Sequence, residues 1–384
     1  MTHLEQLILD ETRDADSSGR RGRAKASAAA ASEPVPLVTS RPEPLPYDVG
    51  QHPQDYVSVG TYWWPNPDTS DGRPLVHRDG EFSPLIDRYD RPRLDQVFDT
   101  IHLHLLVALG TDDPQPAEAA AAVIVGNFIE PTTRLNPNLK HTQHVPGVDT
   151  GRLVGVIDVS IRMPAVLDVY RLSRHLLPAD VTRGFEGWGG QLLDWLLEED
   201  VRTWHESAKN NLGVYYDLLA ESLARTVGRV DVAAERLRFC LGVRLPQQVD
   251  DDGGLPHELK RTRSFDYTTM TIWGFVRAAD AAVELDVADW ASLLDANAPL
   301  RRCVDYVYDH LAAGPWPHDQ IGQVEVRNFG PALALINASA GAPLFATDAI
   351  SGLADAKEAL LKVGAHPWHP PQLSGAVLAA LREA

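Results

Sequence analysis

From about Leu94 onward, apolar residues recur at helical spacing. Val97, Ile101, Leu105 and Ala108 form one stripe, and Leu212, Tyr216, Leu219, Leu223 and Val227 a second. Ile272, Phe275, Ala279 and Val283 form a third. Steps of three and four place side chains on one face of a helix. Alternating strands are scarce and no fixed-length repeat is present, yet the helical stretches follow one another with short Pro/Gly punctuation. The pattern predicts an all-α body of successive helical hairpins, arranged as a toroid or a solenoid. No run of about 18 apolar residues occurs, so no membrane span is expected.

Three stretches break the helical pattern: 53–84, 130–151 and 250–267. Loops longer than about 12–15 residues in a compact domain are usually functional or disordered. These three are rich in Trp, Tyr, Asn, His and Arg, which argues for function. The first contains "YVSVGTYWWPNPDTSDGRPLVHRDGEFSP", where Tyr62, Trp63 and Trp64 stand together ahead of Pro65, Pro67, Gly72 and Pro74. Aromatics on such a loop are either anchors or stacking surfaces. Residues 16–46, rich in Ser, Gly, Arg, Ala and Pro, read as a mobile or loosely packed arm. The expected organisation is therefore a partly flexible arm over 1–46 and a single domain over 47–384.

Composition narrows the partners. The chain of 384 residues is 44% hydrophobic, with a net charge of -18. An acidic surface repels nucleic acid and anionic membranes, and draws in an acidic substrate only through a local basic site. Two distant cysteines, Cys240 and Cys303, suggest neither a disulfide framework nor a zinc knuckle. With no apolar leader behind a basic start, the expected location is cytoplasmic. The histidine pairs His102/His104, His141/His144 and His366/His369 lack partners at zinc spacing, so no metal and no other cofactor is expected.

Three constellations carry chemistry. In "RTRSFDYTTM", Arg261 and Tyr267 lie six apart, with the tyrosine expected just before a helix that Thr268 or Thr269 caps. Tyrosine's reference pKa is near 10, and a guanidinium within about 4–6 Å lowers it by roughly 1–3 units. In "AKNNLGVYYD", Asn210 and Asn211 offer amide donors to a carboxylate. In "RLNPNLKHTQHVPGVDTGRLVGVIDVS", Asn136, Asn138, Gln143, His144 and Arg152 make a dense polar set.

Together, "YVSVGTYWWPNP…RDGEFSP", "TRLNPNL…Q…PG…GR", "AKNNLG" and "ELKRTRSFDYTTM" resemble, in order and approximate spacing, the alginate-lyase-like superfamily of polysaccharide lyases. The resemblance covers about residues 50–290. It implies an (α/α) helical toroid, an incomplete barrel of hairpins with long cleft-lining loops, that cleaves uronate oligosaccharides by β-elimination. By the same resemblance, Asn211 and Arg261 neutralise the uronate carboxylate and Tyr267 acts as base, acid or both. Asn210, Tyr62, Trp63, Trp64, Arg78, Asn138, Gln143, His144, Arg152 and Tyr216 are implied to bind the acidic oligosaccharide.

One departure cuts into that pattern. The family usually reads Asn-Asn-His-Gly, and here the third residue is Leu212. Losing a positioned acid–base group typically costs about 10²–10⁴ in rate unless another replaces it. His205, His144 and His257 are the alternatives. If Tyr267 then serves as both base and acid, elimination is syn, which fits mannuronate or glucuronate. The competing classes are a glycoside hydrolase with a carboxylate pair drawn from Asp79, Asp158, Glu258 and Asp266, a non-catalytic sugar-binding protein, and a lyase-like enzyme recruited to a small metabolite.

Overall fold

The computed structural model describes all residues except 14–17, 35, 149–152, 354–374 and 383–384. It divides into two compact units, one of residues 9–202 with 371–384, the other of residues 1–8 with 203–370. Both are built from helices, and the strands are two two-stranded pieces in the first. The all-α expectation therefore holds.

In the first unit the helix Arg91–Gly110 carries the Val97–Ala108 stripe and is buried almost throughout. It packs on the helices Ser18–Ala31, Gln115–Ile124 and Met163–Ser173. A helix covered on all sides must satisfy its charges internally. Arg162, itself buried, does so for Asp95 at 3.1 Å and Asp99 at 2.8 Å. Ahead of this helix, β1 (Val57–Val59), β2 (Trp63–Trp64) and β3 (Val76–His77) lie in the first predicted loop, and β4 (His141–His144) lies in the second. β1 pairs in parallel with β4, and β2 pairs antiparallel with β3. The long loops are thus tied down by short ladders.

The second unit centres on the helix Ser264–Glu284, in which every residue from Thr268 to Ala282 is buried. It contacts the helices Asn211–Thr226, Val230–Phe239, Pro299–Ala313 and Gly330–Ser339. Gly274 permits its close approach to Asn211–Thr226, because a Cβ there would stand 2.7 Å from a Val214 methyl. The hydroxyl of Tyr215, fully buried, donates to the Met270 carbonyl and locks the pair.

Within the expected arm, residues 3–13 and 18–31 are helical. Leu4 and Ile8 are buried, and the Asp280 carboxylate accepts from the N–H groups of His3 and Leu4. Alanine-rich composition there serves helix propensity.

Candidate active site

Asn210 stands at the N-cap of the helix Asn211–Thr226, with extended backbone and no side-chain cap bond. The turn is held instead by Arg244, which is buried. Its Nε donates to Asp217 at 2.7 Å, Nη1 to the Ala208 carbonyl at 2.6 Å and Nη2 to the His205 carbonyl at 3.1 Å. The guanidinium lies where a side chain on Gly213 would go, 2.0 Å from an added Cβ. This is why the motif needs glycine two residues after Asn211. Gln248 Nε2 adds a bond to the Asn210 carbonyl at 3.2 Å.

Asn211 is buried and engages Glu258, which comes from the short helix Pro256–Leu259. Glu258 Oε1 accepts from the Asn211 backbone N–H at 2.6 Å, and Asn211 Nδ2 stands 3.2 and 3.1 Å from the two carboxylate oxygens. Thr271 Oγ1 donates to Oε1 at 3.1 Å, joining the tyrosine-bearing helix to the same group. Burial pushes the Glu258 carboxyl up, while its Asn211 and Thr271 donors and the charge of Arg261 pull it down. One nitrogen equidistant from both carboxylate oxygens points a single N–H between them, since two N–H bonds 120° apart cannot share so narrow a target. The second N–H of the Asn211 amide is therefore directed elsewhere.

Arg261 lies 3.9 Å from the centroid of the Tyr267 ring, the closest cation–aromatic contact described. Asn211 is thus bound to Glu258, whose backbone carbonyl accepts from the Arg261 N–H at 3.0 Å, and Arg261 in turn meets the Tyr267 ring. The helix begins at Ser264, not after Tyr267 as expected, so the tyrosine lies in the first turn. Thr269 does not cap it. Its hydroxyl bonds backward to the Phe265 carbonyl at 2.8 Å, a common fate of threonine inside a helix. Tyr267 itself is half-buried.

The remaining predicted residues are dispersed. Tyr216 is fully buried and stacked on His205, with ring centroids 4.4 Å apart, so it presents no surface to a ligand. The stripe that carries Leu212 and Tyr216 is a packing stripe, and Leu212 at its start is half-buried. In the other unit, His144 is fully buried against the edge of Tyr89. Gln143, at a φ of 42°, turns its amide inward to Asp158 at 2.8 Å. Asn138 Oδ1 accepts from the Lys140 N–H of its own loop. Both His144 and Gln143 are thereby removed from the surface. Arg152 lies outside the described residues, as do His366 and His369.

The aromatic trio divides as its anchor-or-surface dilemma required. Trp63 packs on the buried cluster of Val57, Val59, Tyr89 and Val145. Trp64 turns to Arg78, whose guanidinium stands 4.6 Å from its ring, and donates through Nε1 to the Glu81 carbonyl. Tyr62 meets His77 and the exposed Phe82 edge-on.

Three of the four carboxylates considered for hydrolysis have other partners. Asp158 is buried under Ser58, Tyr56, Gln143 and Arg91. Glu258 holds Asn211, and Asp266 is bound by Gln320 and Arg263. Among the described residues, no group of three or more His, Cys, Asp or Glu is disposed to hold a metal. No helix of the described residues is long and apolar enough to cross a membrane. Cys240 and Cys303 are both free and buried.

An all-α scaffold of this kind, matched to a family of known polysaccharide lyases, is that of a polysaccharide lyase. The chain belongs to the alginate lyase family, whose pattern it matches over residues 42–317. It shares the fold of an alginate lyase from Bacteroides ovatus, with a TM-score of 0.79, 23% identity, and coverage of 96% of this chain and 95% of that one. A histidine-to-alanine variant of alginate lyase A1-III, complexed with a tetrasaccharide, matches with a TM-score of 0.45 and 13% identity over 91% of this chain and 96% of that one. No curated protein matches.

Proposed function

We propose that the protein cleaves short mannuronate- or glucuronate-type oligosaccharides by syn β-elimination at the Asn211–Arg261–Tyr267 cluster. The observation that carries this reading is the contact of Arg261 with the Tyr267 ring beside an Asn211 amide fixed by Glu258. Removal of the C5 proton leaves its electron pair adjacent to the uronate carboxylate. That charge is tolerable only when donors are aimed where it develops. The second Asn211 N–H and the Arg261 guanidinium supply them.

Tyr267 as its phenolate takes the C5 proton, the C5–H electron pair becomes the C4–C5 double bond, and the C4–O4 bond breaks. The same phenol returns its proton to the departing O4. One group serving both steps requires the hydrogen and the leaving oxygen on one face of the sugar. Mannuronate and glucuronate satisfy this and guluronate does not. With Leu212 in place of the usual histidine, no second acid–base group is needed on the opposite face.

The test follows ultraviolet absorbance of the new double bond with oligomannuronate, oligoglucuronate and oligoguluronate. Activity on the first two that Tyr267→Phe lowers by at least about 10²-fold is expected. Faster cleavage of guluronate would sink the syn mechanism. Turnover unaffected by Tyr267→Phe would remove the tyrosine from it.

A further inference from the structure

The helix that carries Tyr267 has Arg263 at its N-cap, and no side chain there accepts from its first N–H groups. Those donors are met from 55 residues downstream. The Ser264 N–H donates to the Asp319 carbonyl at 3.1 Å, and the Ser264 hydroxyl to the same carbonyl at 2.6 Å. Trp316 Nε1 donates to the Ser264 hydroxyl at 2.8 Å, and its ring meets Phe265 edge-on. The Phe265 N–H donates to Gln320 Oε1 at 3.0 Å. Gln320 Nε2 then donates to Asp266 Oδ2 at 2.9 Å. An antiparallel bridge between Arg263 and Gln320, and a bond from the Ile321 N–H to the Thr262 carbonyl, complete the strap.

Gln320 therefore grips the backbone of one residue and the side chain of the next, immediately ahead of Tyr267. Unpaired N–H groups at a helix start are satisfied by capping or the turn frays. A frayed first turn displaces the tyrosine without touching it. We propose that Gln320 is a positioning residue for Tyr267, fixing the first turn so that the phenol meets the scissile bond in one geometry. This rests on the reading of Tyr267 as the proton-transfer group. Gln320 lies just beyond the segment that matches the family pattern, and it reaches the site only through the folded strap.

The experiment measures kcat and KM on oligomannuronate and oligoglucuronate for the wild type, Tyr267→Phe, Gln320→Ala, Q320E and the Q320E/D266N pair. A displacement of about 1 Å costs up to roughly 10²-fold, so Gln320→Ala is expected to lower kcat about 10–100-fold with KM little changed. Q320E keeps the acceptor for Phe265 but sets a carboxylate against Asp266, and kcat falls as well. The pair restores a donor opposite an acceptor with the roles reversed, and kcat recovers. A merely structural role lowers the melting temperature and the folded fraction but leaves kcat per folded molecule intact. Tyr267→Phe inactive with Gln320→Ala at wild-type kcat overturns the positioning role while the lyase reading stands. Failure of the pair to recover overturns it too. Full activity of Tyr267→Phe, or no turnover by the wild type, removes the lyase reading and this inference with it.

Discussion

Glu258 is the residue on which the site's geometry turns. It is fully buried, accepts from the backbone and side chain of Asn211, and is tied to the next helix by Thr271. An asparagine amide rotates and flips freely unless its partners decide its orientation. Here the carboxylate takes one N–H, and the other is the one proposed to meet the substrate carboxylate. Glu258→Gln replaces half of that acceptor with an NH₂ group facing the donors of Asn211. A hydrogen bond to a charged group is worth about 1.5–3 kcal/mol. Steady-state kinetics are therefore expected to show kcat/KM about 10–100-fold lower, with the loss chiefly in kcat because carboxylate charge builds in the transition state. An unchanged kcat/KM would mean that Asn211 orients itself. From sequence this carboxylate stood only among four candidates for hydrolysis, and its role in holding Asn211 was not legible: with 53 acidic residues in the chain, one more is no signal until its partners are seen.

At the scale of the element, two helix starts carry the residues proposed for the chemistry, and each is held from outside its own sequence. The Asn211 helix depends on Arg244, whose guanidinium fills the space above Gly213 and ties together Asp217 and two carbonyls of the preceding turn. Gly213→Ala forces that anchored guanidinium aside. Overpacking in a tight interior costs about 1–3 kcal/mol. Thermal or urea unfolding is expected to register a destabilisation of that size, and Gly242→Ala, with open space around its Cβ, is the matched control. The motif asparagines and glycine were visible in the chain as letters. Their supports were not, because Arg244 and Gln320 lie far along the sequence and declare themselves only by contact. The same limit explains Tyr216 and His144. Both are polar enough to suggest a site, but neighbouring elements cover them completely, and no spacing rule reports which face a later helix or strand will hide. Trp63 and Trp64 meet different neighbours because adjacent residues of an extended segment point opposite ways.

For the whole molecule, the helical stripes were enough to give the all-α class, because a period near 3.6 is a local property of the chain. The division into two compact units was not, since it depends on which stripes meet. Charge is the property that belongs to the molecule rather than to any part of it. A net charge of -18 opposes the approach of an anionic oligosaccharide, while the groups proposed to receive its carboxylate act at hydrogen-bond range. Salt screens the two unequally. The Debye length falls from about 30 Å at 0.01 M to about 8 Å at 0.15 M, removing most of the long-range repulsion but little of a contact within a partly buried site. KM for oligomannuronate or oligoglucuronate is therefore expected to fall as sodium chloride rises over that range, with kcat unchanged. Only at higher salt, where the Debye length nears about 3 Å at 1 M, should KM climb again as the Arg261 attraction is screened. A KM that rises from the lowest salt upward would show that a basic approach surface, not the acidic average, governs how the substrate arrives.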